Sequence, residues 1–198
     1  MRRASILVSV TILCLVIAPL PARAQTCNRV AGGSQTSNWY GRASGFEDYV
    51  VGSEWERQSR GGQSLGAWGI GGTGWATRVW SACSPPTSVT RFILHALPDH
   101  GDVLEDVIAD LTAAIDAIRT NVPTAIRITL VPPVGGPCDS ALADAQPMVV
   151  DAISQVIGGD VDAGPALQVP DCAMFRDNAG HLSSAGAVWV AQQMAALL

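Results

Sequence analysis

Apolar positions recur most regularly in the second half of the chain. Val89-Thr-Arg-Phe-Ile-Leu-His-Ala-Leu97 is apolar and β-branched at its centre and reads as a buried strand. Val103, Leu104, Val107, Ile108, Leu111, Ile115 and Ile118 then fall at three- and four-residue spacing. That is one face of an amphipathic helix ending near Asn121, with Pro123 beyond it. Ala125-Ile-Arg-Ile-Thr-Leu-Val-Pro132 predicts another strand, residues 144–157 a second helix, and residues from about 183 to 198 a last one. Upstream the signal is weaker. Residues 29–33 predict a short strand ending in a turn, and 49–57 alternate loosely enough for a second strand. The glycine-dense stretch 61–75 predicts loop and turns. Strands and helices alternating at this spacing predict an α/β domain whose mostly parallel sheet is covered on both faces.

The N-terminus follows a different pattern. Arg2 and Arg3 precede the apolar run 6–17, and Ala22-Arg23-Ala24 follows it. A basic start, a short apolar core and an Ala-x-Ala site predict a signal peptide over residues 1–24, cleaved after Ala24. The run is shorter than the ~20 apolar residues of a membrane span, and no second one follows. The expectation is a secreted or periplasmic protein without stable membrane insertion, with residues 25–198 forming a single domain.

Composition narrows the chemistry. Cys14 leaves with the leader, and Cys27, Cys83, Cys138 and Cys172 remain. An even count in an exported chain predicts two disulfides, of three possible connectivities. Cys27 and Cys83 each precede a strand expected near the sheet centre, whereas Cys138 and Cys172 follow the later strands, so the expected pairs are 27–83 and 138–172. No C-x-x-C spacing supports zinc. All twelve basic residues are arginine, which excludes Schiff-base lysine chemistry and a phosphate-loop lysine. Without the leader, nine arginines face seventeen acids, a net charge of −8, and no footprint for nucleic acid or an anionic membrane remains. Gly69-x-Gly71-x-x-Gly74 matches a dinucleotide fingerprint but lacks the strand before it and the helix after it, so no cofactor is expected.

Open parallel sheets bind ligands beyond the carboxyl ends of their strands. The first predicted strand leads into Gly33-Ser34-Gln35-Thr36, the second into Arg60-Gly61-Gly62-Gln63-Ser64, and the third into His95-Ala-Leu-Pro-Asp99-His100. Asp177 and His181 lie near the end of the chain. A serine, glycine-rich backbone and a histidine beside a carboxylate are the parts needed for acyl transfer.

These blocks resemble those of the SGNH (GDSL-like) hydrolases. Ala31-Gly-Gly-Ser-Gln-Thr36 looks like the Gly-Asp-Ser turn, Ser59-Arg-Gly-Gly-Gln-Ser-Leu65 is similar to the second block, and Asp177-Asn-Ala-Gly-His-Leu-Ser-Ser-Ala-Gly186 most closely resembles the last. The resemblance implies a three-layer α/β/α sandwich, flavodoxin-like in its sheet, and a serine ester hydrolase needing no metal or cofactor. Ser34 would be the nucleophile, His181 the base and Asp177 its orienting partner. The backbone N–H groups of Ser34 and Gly62 would bind the oxyanion, and a small-molecule or carbohydrate ester would be the substrate. Two positions depart from the family. Pro98 stands where the third block has an oxyanion-binding asparagine, which leaves His95 as a possible substitute. Asp177 is four residues ahead of His181 rather than the usual three, with Asn178 in the usual place. Trp39, Trp68 and Trp75 are candidates to line a substrate groove. The rival readings are a non-catalytic secreted binding protein of the same fold, and a metal-dependent hydrolase built on His95, Asp99, His100 and Asp102.

Overall fold

The computed structural model describes residues 27–41, 45–50, 54–59, 61–76, 89–123, 125 and 127–197. The expected leader, Cys14 and Cys83, and with Cys83 the expected 27–83 pair, lie outside the described residues. Five strands form one sheet: β1 (Cys27–Gly32), β2 (Glu54–Ser59), β3 (Val89–His95), β4 (Arg127–Val131) and β5 (Val161–Ala163). Their order is β2-β1-β3-β4-β5, and all four pairings are parallel. The helices are α1 (Ser34–Tyr40), the one-turn α2 (Thr73–Ala76), α3 (Leu104–Asn121), α4 (Ala141–Val156) and α5 (Ser184–Leu197).

Side chains alternate across each strand, so the sheet feeds two separate cores. Phe92, Leu94, Ile128 and Leu130 point one way, against Val107, Leu111 and Ile118 of α3 and Val149 and Ile153 of α4. Val30, Ile93 and Val131 point the other way, against Trp39 of α1 and Val190 and Met194 of α5. The result is the three-layer α/β/α sandwich expected from sequence.

Local chemistry sets the helix ends. Ser140 caps α4, its Oγ accepting from the Ala143 N–H at 3.3 Å. Ser183 does the same for α5, accepting from the Gly186 N–H at 3.3 Å. At α3 the Asp106 carboxylate reaches back to the Val103 N–H at 3.2 Å. The later elements lie close to the predicted ones, whereas β2 begins at Glu54, several residues after the predicted start. Two further elements were not predicted: the polar run 34–40 is a helix, and β5 is a short edge strand that periodicity did not reveal. No helix among the described residues is long and apolar enough to cross a membrane.

Candidate active site

The chain leaves β1 toward β2 on one side, and β3 adds on the other side of β1. This places the topological switch point between β1 and β3, where a crevice opens beyond their carboxyl ends. Ser34 opens α1 directly after β1, and residues 96–103 connect β3 to α3. An open cleft of about 500 Å³ lies there. Ser34, the 98–102 loop, Leu142 and Met148 of α4, and His181 form its walls. The nucleophile candidate and the base candidate, 147 positions apart in the chain, thus face one space.

The turn before Ser34 depends on close backbone approach. A Cβ on Gly33 would lie 2.2 Å from the Gln63 carbonyl oxygen and 2.9 Å from Leu97 Cδ1. Only glycine lets the β1–α1 junction sit against the 61–64 turn, which carries Gly62 at φ +75°. That turn is tied to the β3–α3 loop as well. The Leu65 N–H donates to the Leu97 carbonyl at 2.6 Å, and Ser64 Oγ donates to Asp99 Oδ2 at 2.6 Å.

His181 and Asp177 form a close pair. The imidazole Nδ1 lies 2.8 Å from Asp177 Oδ2 and 3.0 Å from Oδ1, and the His181 backbone N–H donates to Oδ1 at 3.1 Å. Partial burial pushes the Asp177 carboxyl up, but the His181 backbone N–H, its imidazole and Arg176 together hold it below the ordinary aspartate value. An ionised Asp177 can only accept, so Nδ1 carries the proton and Nε2 is left as the basic nitrogen. Asn178 does not share this contact. Its backbone carbonyl accepts from the Ala141 N–H at 3.0 Å, and the residue lines a small pocket together with Cys138 and Cys172.

His95 is not brought to the cleft. It shares strand parity with Ile93, so its ring enters the α1 layer and is 1% exposed. Thr36 Oγ1 lies 2.9 Å from Nδ1, and the Trp39 indole N–H donates to the same nitrogen at 3.3 Å. Indole nitrogen is donor-only, so Nδ1 accepts and the ring proton sits on Nε2. Burial lowers the imidazole to about 3, opposed by the Pro132 carbonyl, and the ring stays neutral. The expectation that His95 supplies an oxyanion donor is corrected accordingly: it is a core histidine.

The expected aromatic groove is corrected too. Trp39 and Trp68 are buried in opposite cores, and Trp75 packs edge-on against Trp68. With His95 turned into the α1 layer, the four-residue metal set is not assembled either. Asp99, Asp102 and Asp110 instead gather their carboxylates within 4.8 Å of one another, two of them already accepting from Ser64 and the Asp99 N–H. Burial, and then the nearby Asp102, Asp99 and Asp106, raise the Asp110 carboxyl. Cys138 and Cys172 are disulfide-bonded, with Cα atoms 5.6 Å apart, as expected.

Sheet order, switch-point cleft and layer arrangement are those of a flavodoxin-like α/β/α sandwich. No protein-family model matches the chain, and neither does any curated protein sequence. Solved structures do. A carbohydrate esterase superposes with a TM-score of 0.55 at 12% identity over 90% of this chain and 66% of its own. An acetyl xylan esterase from Butyrivibrio proteoclasticus gives 0.55 at 12%, over 90% of this chain and 64% of its own. A protein described as a GDSL-like lipase from Parabacteroides merdae gives 0.55 at 11%, over 88% and 97%. The chain therefore spans slightly under two thirds of the length of the first two, and nearly all of the third.

Proposed function

We propose that this protein is an exported serine ester hydrolase acting on small acyl esters, acetylated carbohydrates foremost. The observation that carries this reading is that Ser34 and His181 wall one cleft while His181 is held by Asp177. Ser34 Oγ attacks the ester carbonyl as its proton passes to His181 Nε2. The oxyanion accepts from the backbone N–H groups of Ser34 and Gly62. The tetrahedral intermediate collapses to an acyl-Ser34, and His181 returns the proton to the departing alcohol. Water repeats the sequence and releases the acid.

Support for the substrate class comes from two sides. The structural neighbours include a carbohydrate esterase and an acetyl xylan esterase. The cleft is lined by Asp99, Asp102 and Asp144 without an arginine, which suits an uncharged ester and disfavours an anionic one. The leader over residues 1–24 supports export. Pro98, in place of a side-chain donor, favours a second reading, a secreted protein that binds such esters without cleaving them.

Hydrolysis of p-nitrophenyl acetate by the purified mature protein distinguishes the two. The enzyme reading expects turnover that falls at least roughly 10³-fold in both Ser34→Ala and His181→Ala. Wild-type turnover no greater than that of the two variants, with acetyl-sugar binding retained, overturns it in favour of the binding protein.

A further inference from the structure

We propose that Gln35 and Asn38 are positioning residues that fix His181 relative to Ser34, from the same short helix that carries the serine. The proposal rests on the esterase reading above.

The two residues flanking His181 are each tied to α1. The Gln35 side-chain amide donates from Nε2 to the Gly180 carbonyl at 2.7 Å. Asn38 Oδ1 accepts from the Leu182 backbone N–H at 3.0 Å. Gln35 and Asn38 are three apart and share a helix face, and Ser34 immediately precedes Gln35. Gln35 is also braced from behind, because its Oε1 accepts from the Val134 N–H at 2.9 Å, linking it to the chain beyond β4.

Neither residue lines the cleft; Gln35 is 0% and Asn38 7% exposed. They cannot serve substrate directly, and a buried amide is costly unless its bonds are made. Hydrophobic packing alone would secure the docking of residues 175–182, since Leu182 is fully buried in the α1/α5 core. Packing is non-directional, however, and tolerates sliding that a hydrogen bond does not. The turn is internally rigid: the Arg176 N–H bonds the His181 carbonyl at 2.7 Å and the Gly180 N–H bonds the Asp177 carbonyl at 3.1 Å. Asp177 and His181 therefore move as one body, and the two α1 amides decide where that body sits relative to Ser34. A displacement of about 1 Å in a reacting pair can lower the rate roughly 10²-fold.

Steady-state kinetics on p-nitrophenyl acetate, each variant assayed well below its own melting temperature, test this. Gln35→Met and Asn38→Leu delete the tethers at similar volume, and Asn38→Asp keeps the acceptor oxygen. The expected result is a fall in kcat of roughly 10- to 100-fold for the two apolar variants, with KM within two-fold of wild type. Asn38→Asp recovers kcat to within about three-fold of wild type. If Asn38→Leu does not fold, Asn38→Ala removes the same oxygen without added bulk. A merely structural role would lower the melting temperature and leave kcat per folded molecule intact; that outcome, or Asn38→Asp as slow as Asn38→Leu, overturns the proposal. An inactive wild type overturns the esterase reading instead and is recognised before any variant is compared.

Discussion

The Asp177 carboxylate holds His181 twice, through Nδ1 at 2.8 Å and through the backbone N–H at 3.1 Å. A four-residue gap thus does what a three-residue gap would do, because the intervening turn brings carboxylate and ring together. Asp177→Asn is expected to lower kcat by roughly 10³- to 10⁴-fold, since an amide can donate to Nδ1 and hold the wrong tautomer. Asn178→Ala should stay within two-fold of wild type. The kcat of the two variants measured side by side checks the assignment, and a larger loss in Asn178→Ala would reverse it.

The pH dependence of stability should report His95. Its imidazole is held at about 3 in the fold, against an ordinary 6.5, mainly because burial penalises the cation. Between those values the unfolded chain binds a proton that the folded chain does not, so stability rises with pH across that window. The contribution is whole above 6.5 and is lost as pH falls toward 3. Thermal melts of His95→Gln should give a lower melting temperature at neutral pH but a flatter decline below pH 6.5 than wild type. Equal slopes would show that His95 is not the group responsible.

Gly33 is where the Ser34 turn meets the turn carrying Gly62. Gly33→Ala puts a methyl group 2.2 Å from the Gln63 carbonyl, a backbone atom that cannot swing aside. The 61–64 turn must shift, and with it the Gly62 N–H proposed to bind the oxyanion. A loss of kcat of roughly 10²-fold is expected, the size seen when one oxyanion donor is removed. Gly61→Ala, whose Cβ meets nothing within 4 Å, should be mild by comparison in the same assay.

The Cys138–Cys172 bond closes a loop across 34 positions and borders the pocket that Asp177 also lines. Replacing both cysteines by serine should destabilise the protein by roughly 3 to 4 kcal/mol, read by denaturant titration. A change under about 1 kcal/mol would mean that the unfolded chain is not restrained by this bond.

How much of this was legible depended on what buries each element. The α3 face and the β3 run are buried by apolar packing, so their periodicity shows in the sequence. The helix α1 is buried differently: Gln35, Thr36 and Asn38 are inside because they bond to distant loops and to His95, and Ser-Gln-Thr-Ser-Asn reads as irregular until those partners are known. At three residues, β5 is too short for any alternation to register. His95 ends its strand, where a side chain can face either the crevice or a flanking layer, and only its parity with Ile93 decides between them. The three tryptophans followed the same logic: nearness to the crevice in sequence did not fix the side to which each ring turned. Ser34 directly follows a predicted strand, so its place at the crevice was legible from that spacing, whereas the Asp177–His181 block follows no predicted strand and was placed by its resemblance to a known motif alone.

The central claim is that Ser34 is a nucleophile activated by His181, and a fluorophosphonate tests it most directly. Incubated with the mature protein and followed by peptide mass spectrometry, the reagent should leave one phosphonyl adduct, on the peptide containing Ser34. His181→Ala should slow its formation by at least roughly 10³-fold. No adduct on the wild type, or an adduct that persists in Ser34→Ala, would contradict it.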